Sequence, residues 1–361
     1  MRSIDPAGWA SHGFFGLGAK TFGNPGGATS GTGYFVPPVP TPPNPGIKFT
    51  RQTSPTGGNP VFAMTSDTAG NTLLVDSTGR VFHSTDGGVN WLLVTTIAGW
   101  NPVQTTGRLL TAAGTWMLSA QQNVGNISFF RSTNLGVAWA PIVSGIGGAG
   151  SYAMATDGAG NWFAIGNIIP ATPANYGLST NDGVTWASAG VTTIAGTTAV
   201  NPQLWDAAAS EWVVLTKDPV TVDAALWTSP DALTWTEHLM TGPSAPNPNF
   251  GGALISGGII YATDQFSTDM FEGATPTAFA AADPVSENPT NGGTFLVRAG
   301  VGGQFFVFDG QGNVANCTDY ITWLEGTLNF QGGEFPNAVC YDQTHNSVIA
   351  GGSAGSICTV P

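Results

Sequence analysis

Short apolar runs rich in Val, Ile, Phe and Trp alternate along the chain with clusters of Gly, Asn, Asp and Ser. A strand and its turn recur about every 8–12 residues, and no stretch keeps the spacing of an amphipathic helix. From residue 61 the pattern parses as strands over 61–67, 72–76, 80–84 and 90–95, with turns at Asp67-Thr-Ala-Gly-Asn71 and Asp76-Ser-Thr-Gly-Arg80. The first of these turns returns as Asp157-Gly-Ala-Gly-Asn161, before Trp162-Phe-Ala-Ile, and as Asp309-Gly-Gln-Gly-Asn313. In such turns the carboxylate accepts backbone amides two residues on, and glycine takes the positive φ.

A longer repeat runs above this alternation. Ser84-Thr-Asp86-Gly-Gly88-Val-Asn-Trp91 recurs as Ser132-Thr-Asn134-Leu-Gly136-Val-Ala-Trp139 and as Ser179-Thr-Asn181-Asp182-Gly183-Val-Thr-Trp186, at steps of 48 and 47 residues. Thr228-Ser-Pro-Asp231-Ala-Leu-Thr-Trp235 follows after 49, and Asn316-Cys-Thr-Asp319-Tyr-Ile-Thr-Trp323 after 88, two steps of 44. The copy missing between them falls near Ser267-Thr-Asp269, with Phe279 in the Trp place. The hydroxyl, the Asp or Asn and the glycine close a tight hairpin, and the Trp offers a large apolar surface to the neighbouring repeat. Four antiparallel strands per repeat make one propeller blade.

Counting blades decides the closure. After Trp323 three strands remain, over 337–341, 347–351 and 355–360, so the fourth must come from ahead of residue 61, and 47–51 fits. The expectation is a seven-bladed all-β propeller of four-stranded antiparallel blades over residues 46–361, tied shut by the first strand, with no long exposed edge.

The pattern S/T-x-D-x-G-x-x-W resembles the Asp-box (BNR) repeat of sialidase-like and related β-propellers, and the resemblance covers residues from about 46 to 361. It implies that each box hairpin lies at the outer side of its blade, so the borrowed strand is expected outermost. The boxes ending in Trp235 and Trp323 depart from the pattern, with Ala232 or Tyr320 and Ile321 in the glycine region, and looser turns are expected there. Sialidases also use three arginines, a Tyr nucleophile with a Glu partner and an Asp acid/base. Outside the arm and the closing strand only Arg80, Arg108, Arg131 and Arg298 are available, and none has the Arg-Ile-Pro context that opens a sialidase domain.

Residues 1–45 differ in character. Phe14-Phe15-Gly-Leu-Gly, Phe22-Gly-Asn-Pro-Gly-Gly and Val36-Pro-Pro-Val-Pro-Thr-Pro-Pro-Asn-Pro45 read as an extended Gly/Pro arm. Solvated linkers are poor in aromatics, so Trp9, Phe14, Phe15, Phe22, Tyr34 and Phe35 mark a partner-binding arm.

Composition narrows the chemistry. Charged residues are only 9% of the 361, and Lys+Arg 9 against Asp+Glu 22 leaves a net −13, which argues against phosphate-neutralising contacts with nucleic acid and against polybasic attachment to lipid. No apolar run reaches the ~18 residues of a spanning helix, and no secretory signal is read at the N-terminus. Cys317, Cys340 and Cys358 have no metal spacing and read as buried hydrophobes. His12, His83, His238 and His345 are scattered, nothing pairs two of the six glutamates, and the Asp turns offer one carboxylate each. No catalytic residue, metal or cofactor is expected. A neutral polar surface with an aromatic arm points to a non-enzymatic structural or attachment component of a larger assembly, with a tailed-bacteriophage virion, assembled in the host cytoplasm, as the expected location. Glycan binding or glycoside cleavage, with a host-surface glycan as ligand, is the alternative.

Overall fold

The computed structural model describes residues 47–361 apart from 103–105, 121–127, 147–152, 166–174, 192–193, 195–202, 218–223, 240–249, 265–269, 274–279, 282–294, 300–302, 319–322 and 331. The arm aromatics Trp9, Phe14, Phe15, Phe22, Tyr34 and Phe35 and the positions Ser267, Asp269, Phe279 and Asp319 lie outside the described residues.

The chain enters through a short strand, β1 (Thr50–Gln52), and then builds six four-stranded sheets in succession. Blade one is β2 (Val61–Ser66), β3 (Thr72–Asp76), β4 (Arg80–Ser84) and β5 (Leu92–Thr96). Blade two is β6 (Arg108–Ala112), β7 (Thr115–Ser119), β8 (Phe129–Ser132) and β9 (Ala140–Ile142), and blade three is β10 (Ala153–Thr156), β11 (Trp162–Ile165), β12 (Asn175–Ser179) and β13 (Ala187–Val191). Blade four runs β14 (Gln203–Asp206), β15 (Glu211–Lys217), β16 (Ala224–Ser229) and β17 (Thr236–Leu239), and blade five β18 (Phe250–Ser256), β19 (Ile259–Asp264), β20 (Met270–Gly273) and β21 (Ala280–Ala281). Blade six is β22 (Phe295–Ala299), β23 (Gln304–Phe308), β24 (Asn313–Cys317) and β25 (Leu324–Thr327). The seventh sheet has the order β1, β28 (Ile357–Val360), β27 (Ser347–Gly352), β26 (Pro336–Asp342), so its outermost strand is borrowed from the start of the chain.

The first strands of successive blades touch one another all the way round, and β26 returns to β2. The fold is a seven-bladed β-propeller with these strands around its axis. Burial grades outward: the second strands β3, β7 and β27 are buried throughout, because both of their faces meet a neighbouring blade, whereas the outer strands β5 and β9 are largely exposed.

Each blade–blade interface has its own apolar core. Phe62 and Leu73 of blade one meet Trp116 and Phe130 of blade two, Met117 and Phe129 meet Met154 and Trp162, and Phe163 and Tyr176 meet Trp212 and Trp227. Leu215 and Leu226 pack on Phe250 and Phe271, and Tyr261 on Phe305 and Val307. Phe306 and Phe308 pack on Val348 and Ala350, and Ile349 and Ile357 on Val61 and Phe82. Each fully buried side chain of this size is worth about 1.5–3 kcal/mol. The three cysteines sit in these layers, and burial pushes the Cys340 and Cys358 thiols up to about 12.

The closing segment departs from the expected strand over 47–51. Only Thr50–Gln52 pairs with β28, in the register Thr50↔Thr359, Arg51↔Cys358, Gln52↔Ile357. Ile47 and Phe49 instead exchange backbone hydrogen bonds with Thr327 of β25, each 3.0 Å. The bend has a packing cause: Phe49 is buried between blades six and seven, edge-on to Phe308 at 5.6 Å. The last strand begins at Ile357 rather than 355, because Gly355 takes φ 86° and Glu334 Oε1 accepts the Ala354 and Ser356 amides in the turn before it.

Removing residues 1–52 is expected to lower the denaturation midpoint of the whole ring, while removing 1–45 leaves it in place. Phe49→Ala in the full chain costs about 3–5 kcal/mol. Guanidinium titrations followed by tryptophan fluorescence read all three variants, and an unshifted midpoint for the 1–52 deletion would dismiss the closing role of β1.

Candidate functional site

The repeated hairpins join the third and fourth strands of their blades, on the outer rim. In blade one Ser84 Oγ donates to Asp86 Oδ1 at 2.9 Å and accepts the Gly88 amide at 3.0 Å, while Asp86 Oδ1 accepts the amides of Val89 and Asn90 at 3.1 and 2.9 Å. The Trp91 indole donates back to the Gly88 carbonyl at 2.8 Å. Blades two and three repeat this with asparagine: Ser132 to Asn134 and Ser179 to Asn181, both 3.0 Å, with Trp139 and Trp186 returning to the Gly136 and Gly183 carbonyls. An amide oxygen does the work of a carboxylate here, since only acceptors are required.

The same hairpins join blades. Gly88, Gly136 and Gly183 have φ of 84°, 77° and 77°, and a Cβ at these positions would press on Ile349, Leu73 and Met117 of the preceding blade. The tryptophans lie in the same seams: Trp91 beside the blade seven–one core, Trp139 beside one–two, and Trp186 stacked on Phe129 of blade two at 4.6 Å. Trp235 lies in the three–four core and Trp323 beside the five–six core. The boxes therefore do not converge on one pocket; they are distributed round the circumference.

Blade four keeps the aspartate's part of this pattern and loses the tryptophan's, so its turn is looser in that respect. Its hairpin is one residue shorter: Ser229 donates to Asp231 Oδ1 at 3.0 Å, and that oxygen accepts the Leu233 and Thr234 amides at 2.8 Å, but the Trp235 indole does not return to a hairpin carbonyl as those of Trp91, Trp139 and Trp186 do. Ala232 takes the positive φ, 57°.

Most described aspartates are occupied in this way. Asp67, Asp157 and Asp309 each accept amides two and four residues on, and the side chain of the asparagine at the fourth position. Asp342 accepts the Thr344 and His345 amides and His345 Nδ1 at 2.7 Å. His83 meets Asn71 at 3.0 Å, with burial lowering its pKa against the opposing pull of Asp67, and His238 meets Thr228 at 3.1 Å. Among the described residues no group of His, Cys, Asp and Glu is arranged to hold a metal ion. The four arginines do not meet: Arg80 pairs with Asp76 at 2.6 Å, Arg131 with Asp182 at 2.5 Å, Arg298 lies over the Phe305 ring, and Arg108 lines the central channel.

Among the described residues three surfaces are open to partners. The residue after the hairpin glycine, and its blade-four equivalent, is aliphatic and solvent-facing in four consecutive blades: Val89 at 45% exposure, Val137 at 57%, Val184 at 50% and Leu233 at 58%. Beside blades seven and one, Pro60, Trp100, Asn101, Phe335, Asn337 and Ser353 line a groove of about 740 Å³ with no charged side chain among its described lining residues. The central channel encloses about 620 Å³. The rim row was legible in the quoted repeats as Val, Val, Val, Leu; the groove and channel join distant segments and carry no local signal.

No protein-family model and no curated protein matches this sequence. Among solved structures, a chain described as YCF48 bound to D1 peptide is similar with a TM-score of 0.60 at 13% identity, over 89% of this chain and 99% of that one. YCF48 from Cyanidioschyzon merolae is similar with a TM-score of 0.59 at 14% identity, over 87% and 98%. The extracellular domain of BT4673 from B. thetaiotaomicron is similar with a TM-score of 0.61 at 12% identity, over 86% of this chain and 39% of that one. At these identities the likeness is one of fold, a seven-bladed propeller.

Burial alone would raise the Asp86 carboxyl, but the hydrogen bonds from Asn90, Ser84 and Val89 outweigh it and hold it below the ordinary carboxylate range. A carboxylate depressed in the folded state contributes stability above its unfolded pKa of about 3.9, and that contribution disappears as pH falls through the folded value. Asp86→Asn, which copies Asn134 and Asn181, is expected to fold at pH 7 with a loss of about 1 kcal/mol. Its stability should fall less steeply than the wild type's on acidification below about pH 4; parallel urea-titration curves for the two proteins would contradict the assignment.

Proposed function

We propose that this chain is a non-enzymatic Asp-box propeller that binds protein partners within a larger assembly. The observation that carries the reading is the rim row of Val89, Val137, Val184 and Leu233. Aliphatic side chains recur, solvent-facing, at one hairpin position in four consecutive blades, and none of the turns needs them for its own closure, so the rim offers a partner one apolar contact per blade. Aspartates committed to backbone amides leave few carboxylates for acid–base work, which favours binding over catalysis. The solved YCF48 chain, a propeller of the same fold, is described as bound to a peptide.

In its fullest form the proposal is a bacteriophage virion component, held in tail, fibre or capsid by the aromatic arm of residues 1–45 while the propeller rim meets adjacent subunits. Sedimentation of particles from lysed cells, with the chain followed by immunoblot, tests both contacts. Wild type is expected with the particles, and the 1–45 deletion in the soluble fraction. The variant with Val89, Val137, Val184 and Leu233 all changed to Ser should keep its thermal midpoint within about 1–2 °C, since such surface changes are usually nearly neutral, and lose particle association. Full incorporation of both variants, or a wild type that never sediments with particles, would overturn the reading.

A second reading, glycan binding, is favoured by the groove, where Trp100, Phe335, Asn101 and Asn337 present aromatic and amide groups without charge. A neutral-glycan array probed with wild type and with Phe335→Ala, whose ring is 44% exposed, separates the two: retention that drops at least tenfold in the variant favours sugars, and an array without signal removes them.

A further inference from the structure

Arginine is always charged in proteins and, where it is taken out of bulk water, is expected to be paired. This chain follows that rule at four of its described arginines. Arg80 pairs with Asp76, Arg131 with Asp182, Arg298 stacks on Phe305 and reaches the Gly303 carbonyl, and Arg51 is engaged as well. Arg108 is the exception: among the described residues its guanidinium has no hydrogen bond and no ion pair. It is also the only charged side chain among the described residues lining the central channel.

Its position is built into the fold. Arg108 opens β6, the axial strand of blade two, in register with Ser119 of β7. The preceding Gly107 donates its amide to the Phe62 carbonyl of blade one at 2.9 Å, and a Cβ there would run into the Phe62 ring and the Ser119 carbonyl. The strand is thereby pinned against blade one at the residue before the guanidinium. Gly251 and Gly252 of β18 line the same channel, and a Cβ at Gly252 would meet the Leu296 amide of the next axial strand. Thr65 and Thr106 add neutral hydroxyls, and Met64, Leu110, Val297 and Val339 supply apolar wall. A volume of about 620 Å³ falls within the range of small-molecule sites. Burial lowers the Arg108 pKa, the direction a cation takes when water is withdrawn and no anion replaces it.

We propose that the central channel is a binding site for a small organic carboxylate, its anionic end on the Arg108 guanidinium and its apolar body against Met64, Leu110, Val297 and Val339. A planar guanidinium takes a carboxylate in two parallel hydrogen bonds. In a chain of net −13, an anion is otherwise repelled, so the interaction is local to this residue.

Calorimetric titration of the full chain with 3-phenylpropionate, benzoate and hexanoate tests the site. The expected result is saturable one-to-one binding of at least one of them, at least tenfold weaker for the corresponding neutral amide and at least tenfold weaker for Arg108→Gln. The acid–amide comparison uses wild type alone, so it stands even where the variant misfolds. Absence of saturable binding by all three acids, an amide that binds as well as its acid, or a folded Arg108→Gln that binds as wild type does would each overturn the proposal. Displacement of the acid by equimolar inorganic phosphate would overturn the organic part and leave a bare anion site.

Discussion

The structure depends on apolar burial between blades that are themselves only sheets. A four-stranded sheet with both faces apolar is not stable alone; here each face finds its partner in the next blade, and seven seams share the burden. That arrangement works only when the last seam closes. The pairing of Thr50–Gln52 with Ile357–Val360, together with Phe49 seated over Phe308, makes the first and last wedges one sheet, so the ring's stability is a property of the whole circuit.

The repeated hairpin is usefully seen as a joint. Its hydroxyl and carboxylate or amide close the turn, its glycine permits both the positive φ and the approach of the neighbouring blade, and its tryptophan fills the seam behind it. The chain's acidity has a similar local origin. Asp67, Asp76, Asp86, Asp157, Asp231, Asp309 and Asp342 all hold backbone amides, so the negative charge reflects how turns are made and says little about partners.

What the sequence revealed follows from this division. Turn chemistry is local, and hence the blade count and the strands of blade one could be read from Asp, Gly and Trp spacing, while the outermost position of the borrowed strand followed from the Asp-box resemblance. Departures arose where packing across the ring decided. Phe49 pulls the entering segment aside onto β25, Asn90 is drawn into its hairpin by Asp86 so that the strand starts at Leu92, and a one-residue contraction makes Ser229 the anchor in blade four. The channel was invisible for the same reason: Met64, Arg108, Val297 and Val339 are brought together only by closure.

The closing sheet also sets a timetable. Gln52 and Thr359, joined by a side-chain hydrogen bond, are 307 positions apart, and contacts so distant along the chain form late because a long loop must first be ordered. Until they form, Ile357–Val360 presents unpaired backbone to solvent, and an uncovered strand of that kind is a template for pairing with another molecule. The slowest event in the maturation of this protein is thus also the one that takes away its adhesive edge.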